Sequence, residues 1–266
     1  MSQLALQRIK DNLVLLGLKG ILSGVDASLE EVQKETISYT DFLDRVLEEE
    51  ISYRQDRRVQ TLLKLARLPY LKSLAEFDFS FQPQIEEPVI RELASLSFLE
   101  RKENVVFLGP PGVGKTHLAV AIGIAACQKG RKVYFTDMEK LINDLKNWNK
   151  RKTWFYRRLS LLIVDEVGYL SLDRVESHLF FKLINSRYET GSVILTSNKS
   201  FTEWADVFGD AVIASAVLDR LLHHATVINI RGGSYRLKDK SAIFSRKEPA
   251  GKAEPNTAEG GFLYKA

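Results

Sequence analysis

Residues Val105 to Gly123 read VVFLGPPGVGKTHLAVAIG, an apolar run that breaks through glycines and two prolines into an alanine-rich segment of helical character. The spacing Gly109-x-x-x-x-Gly114-Lys115-Thr116 satisfies the phosphate-loop pattern, with a strand signal before it and a helix signal after. A glycine turn that merely ends a strand is the plain alternative. It would not fill every motif position, so the stretch is read as a nucleoside triphosphate site formed by Gly109, Pro110, Pro111, Gly112, Val113, Gly114, Lys115, Thr116 and His117.

The physical reason is charge and shape. Gly112 and Gly114 allow the backbone to curl into a nest of inward-pointing N–H groups, and the helix that follows adds the positive end of its dipole. Lys115 is expected to reach the β- and γ-phosphates. The Thr116 hydroxyl is expected to join the shell of a Mg²⁺ ion beside them.

Working outward, hydrolysis needs a metal anchor and a group that orients water. LLIVDEVGYL, from Leu161 to Leu170, ends four apolar residues in two adjacent carboxylates, which is where open α/β sheets place their ligands. Asp165 is read as the Mg²⁺ anchor, Glu166 as the general base. A third apolar run, VILTSNKSF, ends near Asn198, whose amide could hold a lytic water. Arg220 stands on an otherwise apolar helix. It is either a partner for Asp219 or an arginine finger for a neighbouring subunit's γ-phosphate. Arg236 follows the last strand. His223 and His224 are adjacent, expected on different helix faces and without further ligands, which argues against metal binding.

Strand candidates at 104–108, 132–137, 161–165, 193–198 and 226–230 alternate with helical stretches such as 117–129 and 175–190. That alternation predicts an α/β fold with a covered, mostly parallel five-stranded sheet. Residues 1–75 read as helices alone, a small N-terminal domain with Ser38 capping one of its helices. Residues 76–88, with Pro83 and Pro88, read as an extended connector, 89–237 as the nucleotide-binding domain, and 238–266 as a disordered tail.

The hydrophobic share of 45% beside 27% charged residues excludes fibrous and wholly disordered classes, and no apolar run is long enough to span a bilayer. A soluble cytoplasmic protein without membrane contact is expected. The single cysteine, Cys127, has no disulfide partner and is read as a small core residue. A formal charge of +4 permits an anionic polymer as partner. Arg54, Arg57 and Lys64 form a basic stripe at helical spacing, either a solvated face or a DNA contact. Between the second and third strands, Lys146, Lys150, Arg151, Lys152, Arg157 and Arg158 interleave with Trp148, Trp154, Phe155 and Tyr156. Such a pattern suits double-stranded DNA, the alternative being core aromatics beside solvated cations.

Taken together with FDFSFQP, LTSNKSFTEWADVFGD, AVLDRLLHHA and GGSYR, the order of motifs from about Gln60 to Arg236 resembles the AAA+ ATPases. Within them it resembles the IstB-type helper ATPases of insertion-sequence transposition, with the DnaC-type helicase loaders as near relatives. The resemblance implies Walker A residues at Lys115 and Thr116, Walker B at Asp165 and Glu166, sensor 1 at Asn198, the finger at Arg220 and a sensor-2-like Arg236. It places a DNA-contact insertion near Asp137 to Arg158. It further implies ATP-dependent self-association on duplex DNA, bending of that DNA, and recruitment of an IstA-type transposase that stimulates turnover. A helicase loader, a small-molecule phosphotransferase and an ATP-gated DNA scaffold that barely hydrolyses are the other classes open to the sequence.

Overall fold

Apolar runs that alternate with helices fold here into a single sheet covered on both sides. The computed structural model describes residues 3–34, 37–147 and 150–237; the expectation for the tail and the aromatic Trp148 lie outside the described residues. The strands are β1 (Asn104–Leu108), β2 (Val133–Asp137), β3 (Leu161–Val167), β4 (Ser192–Ser197) and β5 (Ala225–Asn229). They pair in the order β2-β3-β4-β1-β5, every pair parallel. The predicted α/β class and strand set are therefore what the chain adopts.

Side-chain alternation along the strands divides the core into two layers. Val106, Leu108, Leu162, Val164, Val193 and Leu195 face one way. They pack on α7 (Met138–Lys146), α9 (Arg174–Arg187), α10 (Trp204–Phe208) and α11 (Ala211–Leu222). Val105, Phe107, Leu161, Ile163 and Ile194 face the other way, toward α4 (Glu87–Ser95), α5 (Ser97–Arg101) and α6 (Lys115–Gln128). Helix α6 is apolar on every side and has Cys127 fully buried, so the thiol is pushed up to about 11 by desolvation and stays protonated. A second helix, α8 (Lys150–Arg157), follows α7 before β3.

The N-terminal region is α1 (Gln3–Leu16), α2 (Lys19–Lys34) and α3 (Tyr39–Leu65). Ser38 caps α3 by accepting from the Asp41 N–H at 3.1 Å. Its own core is small, Leu13, Ile21, Val25 and Val46, and it leaves Leu16, Tyr39, Leu43 and Leu47 exposed. Glu50 from the middle of α3 accepts from the N–H groups of Gly20 (2.7 Å) and Ile21 (3.2 Å), closing the start of α2 across the helix pair. The far end of α3 belongs to the larger body: Leu62, Leu63 and Ala66 join its second layer, and the Ala66 carbonyl accepts from Phe135 of edge strand β2 at 2.8 Å. The connector is not wholly extended. Ser73 and Asp78 start two short 3₁₀ turns, Leu74–Glu76 and Phe79–Phe81, which fold it over the sheet's carboxyl edge.

Candidate nucleotide site

Strand order explains why the site lies where it does. From β1 the chain crosses two strands to reach β2 and then returns through β3 and β4, so the loop after β1 lies beside the carboxyl ends of β4 and β3. The Gly109 N–H donates to the Ser197 carbonyl at 3.1 Å and fixes the loop's entry. Its exit is the N-terminus of α6.

Two glycines show how closely this loop is enclosed. At Gly114, φ is +101°, and a Cβ there would stand 2.6 Å from the Phe77 ring of the connector. At Gly112, φ is +84°, and a Cβ would stand 2.1 Å from the Ser234 hydroxyl beyond β5. Neither position admits a side chain. The Tyr235 N–H donates to the Gly112 carbonyl at 2.9 Å, and Gln82 Nε2 donates to the Gly233 carbonyl at 3.0 Å. A cleft of about 210 Å³ remains, lined by the loop from Gly112 to His117, by Tyr70, Phe77 and Gln82, and by Tyr235 and Arg236.

Inside it, Lys115 Nζ donates to the carbonyls of Gly109 (2.7 Å) and Pro110 (2.8 Å). Burial pulls this ammonium below the ordinary lysine value; Asp165 opposes the shift and Arg236 adds to it. The Thr116 hydroxyl donates to Asp165, 2.9 Å and 3.1 Å from its two carboxylate oxygens. Asp165 is buried and also accepts from the Thr196 hydroxyl of β4. Hard oxygen donors paired in this way fit a Mg²⁺ ion and offer no nitrogen or sulfur to a softer metal.

Glu166 follows with φ +62° at the break in register between β3 and β4, its N–H donating to the Thr196 hydroxyl at 3.1 Å. That left-handed residue turns the chain so that Asp165 points into the sheet's buried end while the neighbouring glutamate is exposed. Asn198 lies just beyond β4, its Oδ1 buried without a partner. A buried amide acceptor left unmade suits a water or ligand donor. Arg236 stands exposed at the cleft's rim.

Arg220 is elsewhere. Its guanidinium lies over the Tyr188 ring at 4.7 Å, and it shares a surface recess with Asn104 and His224. Asn104 opens β1, so Arg220 is at the amino edge of the sheet, about 13 Å of strand from the loop. His223 and His224 correct the sequence expectation: their ring centroids are 4.1 Å apart, and the Glu189 carboxylate lies beside them. The turn after α9, which brings Glu189 there, carries no signature in the sequence.

The basic positions divide. Arg54, Arg57 and Lys64 are exposed along α3, with Arg54 paired to Glu50 at 2.6 Å and Arg57 over the Tyr53 ring at 5.9 Å. Lys146 is engaged by Glu176 at 2.8 Å. Arg157 is exposed, and Arg158 stacks on Trp154 at 4.2 Å. Of Lys150, Arg151 and Lys152 the helical backbone of α8 is described and the side chains are not. Tyr156 is core, whereas Trp154 is 57% exposed, so the aromatics serve both readings. Sequence reasoning gave no role to Thr196, Tyr70, Gln82 and Ser234: Gln82, Thr196 and Ser234 lie inside quoted stretches, but nothing in their spacing singles out those side chains.

A five-stranded parallel sheet in this order, with a glycine-rich phosphate loop, an acidic pair on a nearby strand and a polar residue ending another, defines the P-loop nucleotide-binding architecture of the AAA+ class. Two solved structures agree with that fold. DnaI matches with a TM-score of 0.51 at 20% identity, over 64% of this chain and 92% of its own. AMPPCP-bound DnaA from Aquifex aeolicus matches with a TM-score of 0.52 at 21% identity, over 68% and 56%. The family model described as IstB-like ATP binding protein matches residues 11–243, and the chain belongs to that family. A Pseudomonas aeruginosa relative from insertion sequence IS21, named for ATP binding, is 50% identical over 81% of this chain and 83% of its own. A similarly named relative from insertion sequence IS5376 of Geobacillus stearothermophilus is 49% identical over 80% and 87%. Among the described residues no helix is long and apolar enough to cross a membrane.

Proposed function

We propose that the chain is an ATP-hydrolysing helper of insertion-sequence transposition that assembles on double-stranded DNA and recruits an IstA-type transposase. Lys115 exchanges its loop carbonyls for the β- and γ-phosphates, and the nest from Gly109 to Gly114 supplies backbone N–H groups to the same oxygens. Thr116 and Asp165 hold Mg²⁺, which when bound neutralises phosphate charge. Glu166 accepts a proton from water that the Asn198 amide orients, and Arg236 attracts the polyphosphate from the rim.

The observation that carries the assembly is the position of Arg220 at the opposite edge of the sheet from its own cleft. A finger there reaches a γ-phosphate only in a neighbouring subunit. ATP then joins subunits, and its hydrolysis releases them. Arg157, Arg158 and the stripe Arg54, Arg57 and Lys64 supply exposed cations for DNA phosphates. The uncovered apolar side chains of α1 and α3 supply a surface for the transposase.

Light scattering with and without ATP and duplex DNA tests this. Larger assemblies are expected only with ATP, and Lys115→Ala is expected to lose both nucleotide and assembly. Wild-type protein that stays monomeric under every condition sinks the proposal. Capture of a replicative helicase in place of transposase assigns the chain to helicase loading.

A further inference from the structure

The structure assigns a transition-metal site to Glu189, His223 and His224, on the face of the molecule away from the nucleotide cleft. One ligand atom from each lies within 4.8 Å of the other two, and all three residues are exposed, the one such group among the described residues. Zn²⁺ bound by two imidazoles and a carboxylate needs ligand distances of about 2.0–2.2 Å, hence atoms somewhat over 3 Å apart. Small rotations of three exposed side chains close that gap.

The imidazoles are already arranged for it. His223 Nδ1 lies 2.9 Å from the Tyr188 hydroxyl, which orients the ring and leaves Nε2 as the nitrogen free for a metal. His224 lies against it with ring centroids 4.1 Å apart. Glu189 is the residue after Tyr188 and takes a left-handed φ of +56°, bringing its carboxylate round to the two rings. Two nitrogens and one oxygen favour Zn²⁺, Co²⁺ or Ni²⁺ over Mg²⁺, which prefers oxygen and retains its waters.

The site joins the carboxyl ends of two packed helices, α9 and α11. His223 caps α11 and His224 follows it, three and four residues after Arg220, while Tyr188 caps α9 and Glu189 begins the turn beyond. Because Arg220 stacks on Tyr188, a metal here fastens the platform on which that arginine rests. This inference stands apart from the reading of the nucleotide cleft.

Calorimetric titration of tag-free full-length protein with ZnCl₂, in excess Mg²⁺, is the test. One Zn²⁺ per chain is expected, with binding unchanged in Asp165→Asn and in His178→Gln, which alters an exposed histidine of α9 outside the group. Loss is expected in Glu189→Gln and in the double variant His223→Asn/His224→Gln, and affinity about tenfold weaker in Tyr188→Phe. Circular dichroism melts in the absence of zinc confirm that these surface variants fold. Absence of stoichiometric binding at submillimolar zinc, displacement by Mg²⁺, or undiminished binding in the folded double variant overturns the assignment.

Discussion

Replacing Thr196 by valine tests whether one buried hydroxyl organises the acidic pair. Thr196 is 1% exposed; its Oγ1 donates to Asp165 and accepts from the Glu166 N–H at 3.1 Å. Valine keeps the shape and removes both bonds. A hydrogen bond to a charged group contributes about 1.5–3 kcal/mol, and an orphaned N–H costs about 1–3 kcal/mol. Sharing one atom, the two losses do not add in full, so about 3 kcal/mol is the expected destabilisation. For a chain of this size that lowers the melting temperature by roughly 6–12 °C. The N–H bond also holds Glu166 at φ +62°, so its release misplaces the carboxylate that faces water. Turnover is then expected to fall about 10–100-fold, with nucleotide affinity held by Lys115 and the loop and changed by less than about threefold. Thr196→Ser, which retains the hydroxyl, restores most of both. A differential-scanning melt, coupled-enzyme ATPase rates and titration with a fluorescent nucleotide supply the three measurements. If Thr196→Val melts within about 2 °C of the parent and turns over at its rate, the hydroxyl does not organise this site and the reasoning fails.

Gly114→Ala forces a side chain onto Phe77 at φ +101°; nucleotide affinity should drop at least about tenfold while the far-UV spectrum is kept, as fluorescent-nucleotide titration would reveal. Arg187, buried between the carbonyls of Tyr156, Leu159 and Ser192, is brought down to about 10 by desolvation and stays charged at neutral pH. Arg187→Met strands those acceptors and should cost about 3–5 kcal/mol in urea unfolding. Glu50, with its carboxylate bonded first by Arg54 and then by the start of α2, is held below its usual carboxylate value. The unfolded chain therefore binds this proton more readily, so the contribution is present above the unfolded pKa and lost as pH falls through the folded one. Glu50→Gln should flatten the acid side of a plot of the protein's melting temperature against pH; an unchanged plot shows that Glu50 does not contribute to acid sensitivity.

Much of this architecture was legible because parallel strands buried on both faces read as apolar runs, and because a phosphate loop must have glycine where φ is positive. Lys115, Thr116, Asp165 and Glu166 were visible as candidates by spacing and by their place at strand ends, and the fold brings Thr116 and Asp165 into contact. Thr196 was not, since a threonine in an apolar strand gives no sign that its hydroxyl meets two residues of the next strand. Likewise α3 read as part of a separate helical domain, because its sequence does not disclose that Leu62, Leu63 and Ala66 pack on another body. The histidine pair misled for a related reason: helical geometry places neighbours on different faces, but His223 is the cap of α11, and His224 lies beyond the helix.

The contacts around the loop connect these parts. Phe77 presses on Gly114 from the connector, Ser234 presses on Gly112 from beyond β5, and Gln82 joins the two segments through the Gly233 carbonyl. Any occupant of the loop is therefore felt at once by the segment leading back to α3 and by the one carrying Arg236. Gln82 Oε1 in the connector and Asn198 Oδ1 just after β4 are both buried without a partner in the chain. A buried acceptor of this kind accommodates a donor from water or ligand, and a bond left unmade there would cost about 1–3 kcal/mol. The connector that presses on Gly114 leads back to α3, which is bonded to β2 at Ala66, so a continuous run of contacts joins the loop to the end of α3.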